Sequence, residues 1–208
     1  MAIQSVGVVG CGLMGHGIAQ LSAQAGFPTT VREVSPNALE KGLGMIRRFL
    51  EGGVEKGKIT RQDADRTLAN LRGTIELGDL AGCDLIVEAA SEHLALKQDL
   101  FSALDGLAKP SAILASNTSS LSITELASFT RRPERVVGLH FFNPVQLMKL
   151  VEVVRTLRTD PAVLDETVAW CAAVVKTVVR AGDTTGFVVN RLLVPYLLDA
   201  IRVFEQGL

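Results

Sequence analysis

The stretch Ile3-Gln-Ser-Val-Gly-Val-Val9-Gly10-Cys-Gly12-Leu-Met-Gly15 decides the fold. Residues 3–9 read as an apolar strand buried on both faces, as a parallel sheet demands. Gly10-x-Gly12-x-x-Gly15 follows without a gap and opens an apolar-periodic helix over 13–25, closed by Gly26. Gly10 permits a tight turn, Gly12 lets backbone approach a pyrophosphate, and Gly15 allows close helix–strand packing. The helix start then offers free N–H groups and a positive dipole end to phosphates. A second strand over 29–34 carries Glu33, 18 residues after Gly15, where a carboxylate suits the hydroxyls of an adenine ribose. That carboxylate repels a 2′-phosphate, so NAD is favoured over NADP, with the neighbouring Arg32 as the one counter-indication. Flavins use the same fingerprint, and the glycines alone do not separate the two cofactors.

Outward from this unit, helices and strands alternate. Helices are expected over 36–55, 60–70, 93–108 and 160–175, with Thr60 and Ser122 as caps and Asp160-Pro161 as a cap and first helical residue. Strands over 84–90, 112–115, 135–142, 150–154 and 177–179 complete an α/β fold, a Rossmann-type doubly wound and mostly parallel sheet. Gly182-Asp183-Thr184-Thr185-Gly186 is the expected domain boundary. Residues 1–182 then form a dinucleotide-binding domain, and residues 183–208 the first helix of an all-α C-terminal domain. Residues 187–204 are apolar on nearly every side, a pattern that demands burial. The expectation is a truncated second domain, or one completed by a partner subunit.

Composition narrows the function classes. The chain has 208 residues and a net charge of −1, so no global basic field argues for nucleic acid or a membrane surface. Cys11, Cys83 and Cys171 are odd in number and lack metal-ligand spacing, which fits reduced core thiols and a cytoplasmic setting. His16, His93 and His140 lie far apart, and no metal is expected. No apolar run reaches the roughly 18 residues of a membrane span.

The second informative stretch is Gly138-Leu-His140-Phe-Phe-Asn143-Pro144, followed by Leu150-Val-Glu152. A histidine and a carboxylate on neighbouring strand ends are what a general base and its orienting partner require. The same residues also read as a core histidine and a glutamate on a solvated face. Asn117 and Ser119 read equally as turn formers, Asn190 as a helix-start residue, and Glu88 and Glu92 as solvated carboxylates. Arg47, Arg48, Lys56, Lys58 and Arg61 form a charge run whose default is a solvated face.

Five motifs occur together in order: Gly10-Cys-Gly-Leu-Met-Gly15, Val87-Glu-Ala-Ala-Ser-Glu92, Ser116-Asn-Thr-Ser-Ser120, His140-Phe-Phe-Asn-Pro144 through Glu152, and Gly186-Phe-Val-Val-Asn190-Arg191. In this the whole chain resembles the short-chain L-3-hydroxyacyl-CoA dehydrogenases, including the bacterial 3-hydroxybutyryl-CoA dehydrogenases. The resemblance implies NAD as cofactor and an acyl-CoA, short-chain, as substrate. It implies His140 as the base and Glu152 as its partner, Ser119 on the substrate oxygen and Asn190 on the thioester carbonyl. Leu13, Met14, Glu92, Lys97 and Asn117 join Gly10, Gly12, Gly15 and Glu33 at the cofactor, and Asn143 and Lys56 meet the substrate. A homodimer is implied as well. Glu33 departs from the family's usual Asp, and the family carries further helices, which pair its subunits, beyond the position of Leu208. Two other readings are a dehydrogenase of free hydroxy or sugar acids, and a nucleotide-binding module without catalysis.

Overall fold

The computed structural model describes residues 3–208. Eight strands form one sheet: β1 (Val6–Val9), β2 (Thr29–Arg32), β3 (Leu71–Thr74), β4 (Leu85–Glu88), β5 (Ile113–Ser116), β6 (Val136–Phe141), β7 (Leu150–Arg155) and β8 (Thr177–Gly182). Their order is β3-β2-β1-β4-β5-β6-β7-β8. Every neighbouring pair is parallel except β6 and β7. The connection from 142 to 149 is too short for a crossover helix, so β7 can only return antiparallel. The Asn143–Pro144 peptide in that connection is cis.

Seven helices accompany the sheet: α1 (Gly15–Gln24), α2 (Pro36–Glu55), α3 (Arg61–Ala69), α4 (Leu94–Leu107), α5 (Ile123–Ser128), α6 (Pro161–Ala173) and α7 (Val189–Glu205). The central strands alternate between two cores. Leu85 and Val87 share one with Ile18 of α1, Ile46 of α2 and Trp170 of α6. Ile86 and Leu114 face the other, with Phe101 and Leu104 of α4 and Leu126 of α5. The doubly wound, mostly parallel sheet is therefore as expected.

β1 begins at Val6 and β2 ends at Arg32, each shorter than the sequence reading, and two further elements differ from it. β3 was not anticipated: Leu-Arg-Gly-Thr is short, contains glycine and is mostly exposed, the composition of an edge strand without an apolar signature. β8 runs to Gly182 rather than stopping at 179. The caps anticipated at Thr60, Ser122 and Asp160 all accept a backbone N–H. Helix α7 has no buried residue; Leu192, Tyr196, Ile201 and Phe204 are all exposed.

The β1–α1 turn is held from outside as well as by its own glycines. Gly10 has φ of +95°, and a Cβ on Gly15 would run into the Gly10 carbonyl. A Cβ on Gly42 of α2 would collide with the backbone and thiol of Cys11. Gly42→Ala should therefore push α2 off the turn and cost about 1–3 kcal/mol. Chemical denaturation checks this, and an unchanged midpoint would mean that α2 does not brace the turn.

Candidate active site

The strand order reverses between β1 and β4, and ligands of open α/β sheets bind outside the carboxyl ends of strands at such a point. A cleft of about 380 Å³ lies there, lined by Gly10, Gly12, Leu13, Met14, Glu33, Ala89, Ala90 and Leu96. A Cβ on Gly12 would meet nothing within 4 Å, so the turn presents bare backbone to open space. Glu33 Oε1 accepts from the Cys11 N–H (2.7 Å) and Oε2 from the Val34 N–H (2.9 Å). Each oxygen keeps a lone pair for a hydroxyl. Arg32 turns its guanidinium to the Ile75 carbonyl at 3.2 Å. Burial, aided by the Glu33 charge, pushes the Cys11 thiol up to about 12, so it stays a neutral packing group. The donors and the open space fit a dinucleotide with free ribose hydroxyls.

A second cleft of about 420 Å³ adjoins it through Met14, Ala89 and Ala90. Glu92, Asn117, Ser119, His140, Asn143 and Asn190 line this one. His140 and Glu152 are direct partners in the β6–β7 register, and both are buried. His140 Nδ1 lies 2.6 Å from Glu152 Oε2. A carboxylate can only accept, so Nδ1 carries the hydrogen and Nε2 is the nitrogen left for a ligand. The rings of Phe142 and Phe187 stand 4.5 and 5.6 Å from the imidazole, centroid to centroid. This is the arrangement of a general base with a fixed tautomer.

The other residues singled out in the sequence divide into groups. Asn117 Oδ1 accepts from the Phe141 N–H at 3.0 Å and so braces β6 beside His140. Asn190, at the start of α7, directs Nδ2 to the Ser119 carbonyl at 3.4 Å. Lys56 stands apart: it lines a groove of about 330 Å³ with Gln20, Arg48, Phe49 and Leu147. His16 bonds the Gly12 carbonyl through Nδ1 at 2.7 Å, a role within the first helical turn.

Glu88 and Lys97 correct the sequence reading. Glu88, read there as solvated, is fully buried at the end of β4. Its carboxylate takes Lys97 Nζ (2.6 Å), the Ala90 N–H (2.7 Å) and the Ser116 hydroxyl (2.6 Å). Lys97 is itself only 1% exposed, so it meets the clefts through its second carboxylate, Glu92 Oε2 at 3.4 Å. Glu92 Oε1 in turn accepts from the Thr118 hydroxyl (2.5 Å) and the Ser119 N–H (2.9 Å). Burial raises the Glu92 carboxyl, but these bonds and the Lys97 charge outweigh it and hold it below the ordinary range. A polar network, buried at Glu88, Lys97 and Ser116 and open to solvent at Glu92, thus ties the Ser119 turn to the ends of β4 and β5. No spacing rule links positions 88, 97 and 116. The one signal was a lysine among the apolar residues of α4.

Cutting one partner out of this network leaves a buried charge. Lys97→Met should cost about 3–5 kcal/mol, and adding Glu88→Gln should restore much of it. Thermal or urea unfolding of the single and double variants tests the pairing; equal stabilities of the two would contradict it.

Comparison with known proteins agrees with the fold and with dinucleotide binding. Residues 5–184 match the family model described as 3-hydroxyacyl-CoA dehydrogenase, NAD binding domain. A 3-hydroxybutyryl-CoA dehydrogenase of Mycobacterium tuberculosis is 50% identical over 208 residues, covering 99% of this chain and 73% of that protein. The mitochondrial hydroxyacyl-coenzyme A dehydrogenase of Rattus norvegicus is 42% identical, covering 99% of this chain and 67% of that one. Among solved structures, the (S)-3-hydroxybutyryl-CoA dehydrogenase PaaH1 of Ralstonia eutropha superposes with a TM-score of 0.97 at 38% identity. It is matched over 99% of this chain and 73% of that one.

Proposed function

The chain belongs to the 3-hydroxyacyl-CoA dehydrogenase family, and on that premise we propose how its own residues carry NAD-dependent oxidation of an L-3-hydroxyacyl-CoA to the 3-ketoacyl-CoA. The observation that carries the reading is the His140–Glu152 pair, which commits Nδ1 and leaves Nε2 for a ligand in the cleft shared with Ser119 and Asn190. Bound NAD supplies the hydride acceptor. His140 Nε2 takes the proton of the 3-hydroxyl as hydride leaves C3, and returns it in ketone reduction. Glu152 holds the tautomer and stabilises the imidazolium once it forms. Ser119 Oγ donates to the 3-oxygen and Asn190 Nδ2 to the thioester carbonyl, where charge develops as the reaction proceeds.

Gly10, Gly12, Leu13, Met14 and Gly15 hold the pyrophosphate end, and Glu33 the adenine ribose. Glu92, kept ionised and oriented by Lys97 and Thr118, stands at the nicotinamide ribose, with Asn117 behind it. Asn143 borders the acyl group, which we place in the short-chain range. Lys56 and Arg48 meet the phosphates of CoA outside the catalytic cleft, as mobile cations. The apolar residues that α7 exposes from Leu192 to Phe204 support a homodimer in which this helix is covered. Three free and buried cysteines suit a reducing compartment such as the cytoplasm.

Two substitutions test the assignment in an active form of the enzyme. His140→Gln should lower kcat by about 10²–10⁴-fold with NAD affinity nearly intact; near-normal turnover would remove His140 as the base. Glu33→Ala should weaken NAD by about tenfold or more, the scale of lost bonds to a charged acceptor. Titration calorimetry reads this directly, and unchanged affinity would count against the ribose contact.

A further inference from the structure

Glu152 uses only one of its oxygens on His140. The other, Oε1, accepts from the N–H groups of Val188 and Val189, both at 2.9 Å. Val189 is the first residue of α7 and Val188 its cap position, whose own side chain makes no capping hydrogen bond. The first amides of a helix have no partner within it, and here a fully buried carboxylate from β7 supplies one. Along α7 itself no residue is buried, and the long Asn190 Nδ2–Ser119 carbonyl bond (3.4 Å) is the other polar contact at its start. The preceding turn is pinned separately: Asp183 accepts from the Thr124 N–H (2.7 Å), the Ser122 hydroxyl (2.8 Å) and the Ile123 N–H (3.0 Å). Phe187, buried at φ of +47°, then brings the chain across the imidazole.

We infer that Glu152 is a positioning residue shared between the base and the substrate-side helix, so that protonation of His140 and the seating of α7, with its Asn190, form one linked equilibrium. This rests on the reading of His140 as the base. The physical reason is that one delocalised carboxylate charge serves both neighbours. When His140 becomes an imidazolium, charge is drawn toward Oε2, and Oε1 becomes a weaker acceptor for the α7 amides. Linkage is reciprocal, so a loosened α7 leaves more negative charge to hold the imidazolium. The only other ionisable group lining this cleft among the described residues is Glu92, whose charge is met by Lys97. Glu152 is therefore the group through which α7 and the imidazole communicate.

Amide-resolved NMR on the 208-residue chain tests this without requiring turnover. The Val188 and Val189 amides should shift with pH at the same midpoint as the His140 ring, and this shared titration should vanish in Glu152→Gln, whose carboxamide oxygen still accepts from them. In hydrogen exchange, both amides should exchange about tenfold or more faster in Glu152→Ala, while Glu152→Gln stays within a few-fold of the parent. Should Glu152→Ala not fold, the parent and Gln titrations decide alone. Amides that stay flat while His140 titrates, or that titrate equally in Glu152→Gln, would overturn the coupling. Failure here with an inactive His140→Gln would leave the base assignment standing, so the two readings fall separately.

Discussion

A carboxylate buried without solvent persists only where partners surround it, and Glu152 meets that demand with three hydrogen bonds from two separate parts of the chain. The orientation of His140 and the start of α7 both depend on this. The antiparallel return of β7 sets Glu152 opposite His140, and the 183–189 turn brings two amides to its free oxygen. One side chain thereby fixes the imidazole tautomer and the place where the terminal helix begins. A parallel pairing of β6 and β7 would require a crossover connection that the intervening residues cannot supply.

The second organising device is also a buried charge. Glu88 ends β4 level with Ser116 at the end of β5, and its carboxylate is met by Lys97 from the first turn of α4. This pair stands behind Glu92, and Glu92 in turn holds the backbone of the Ser119 turn. The cofactor side and the substrate side of the site are thus braced by one continuous polar network. Such a network rigidifies a site when every member is satisfied, and each carboxylate oxygen in this one has a partner.

Much of the fold was legible because its signals are local. The glycine turn, the caps at Thr60, Ser122 and Asp160, and the apolar runs of β1, β4, β5 and β6 are each written in a few consecutive residues. β3 was not legible, because a four-residue edge strand containing glycine and arginine has no face to bury. His140 and Glu152 were legible as a candidate pair from the strand-breaking Asn143-Pro144 between them, although a core histidine was an equal reading until their register was known. Glu88 was misread: its neighbours in sequence say nothing of a lysine nine positions later that turns back to meet it. The second role of Glu152 was equally hidden, since it depends on a turn more than thirty residues downstream.

At the centre of this site stands hydride exchange at C3 of an acyl group carried on a CoA thioester, with the proton of the 3-oxygen passing to and from His140. Single-turnover consumption of NADH, followed by its absorbance with acetoacetyl-CoA and, separately, with free acetoacetate, tests it most directly. NADH should be consumed with the thioester and persist with the free acid. Consumption that is as fast or faster with the free acid would contradict it.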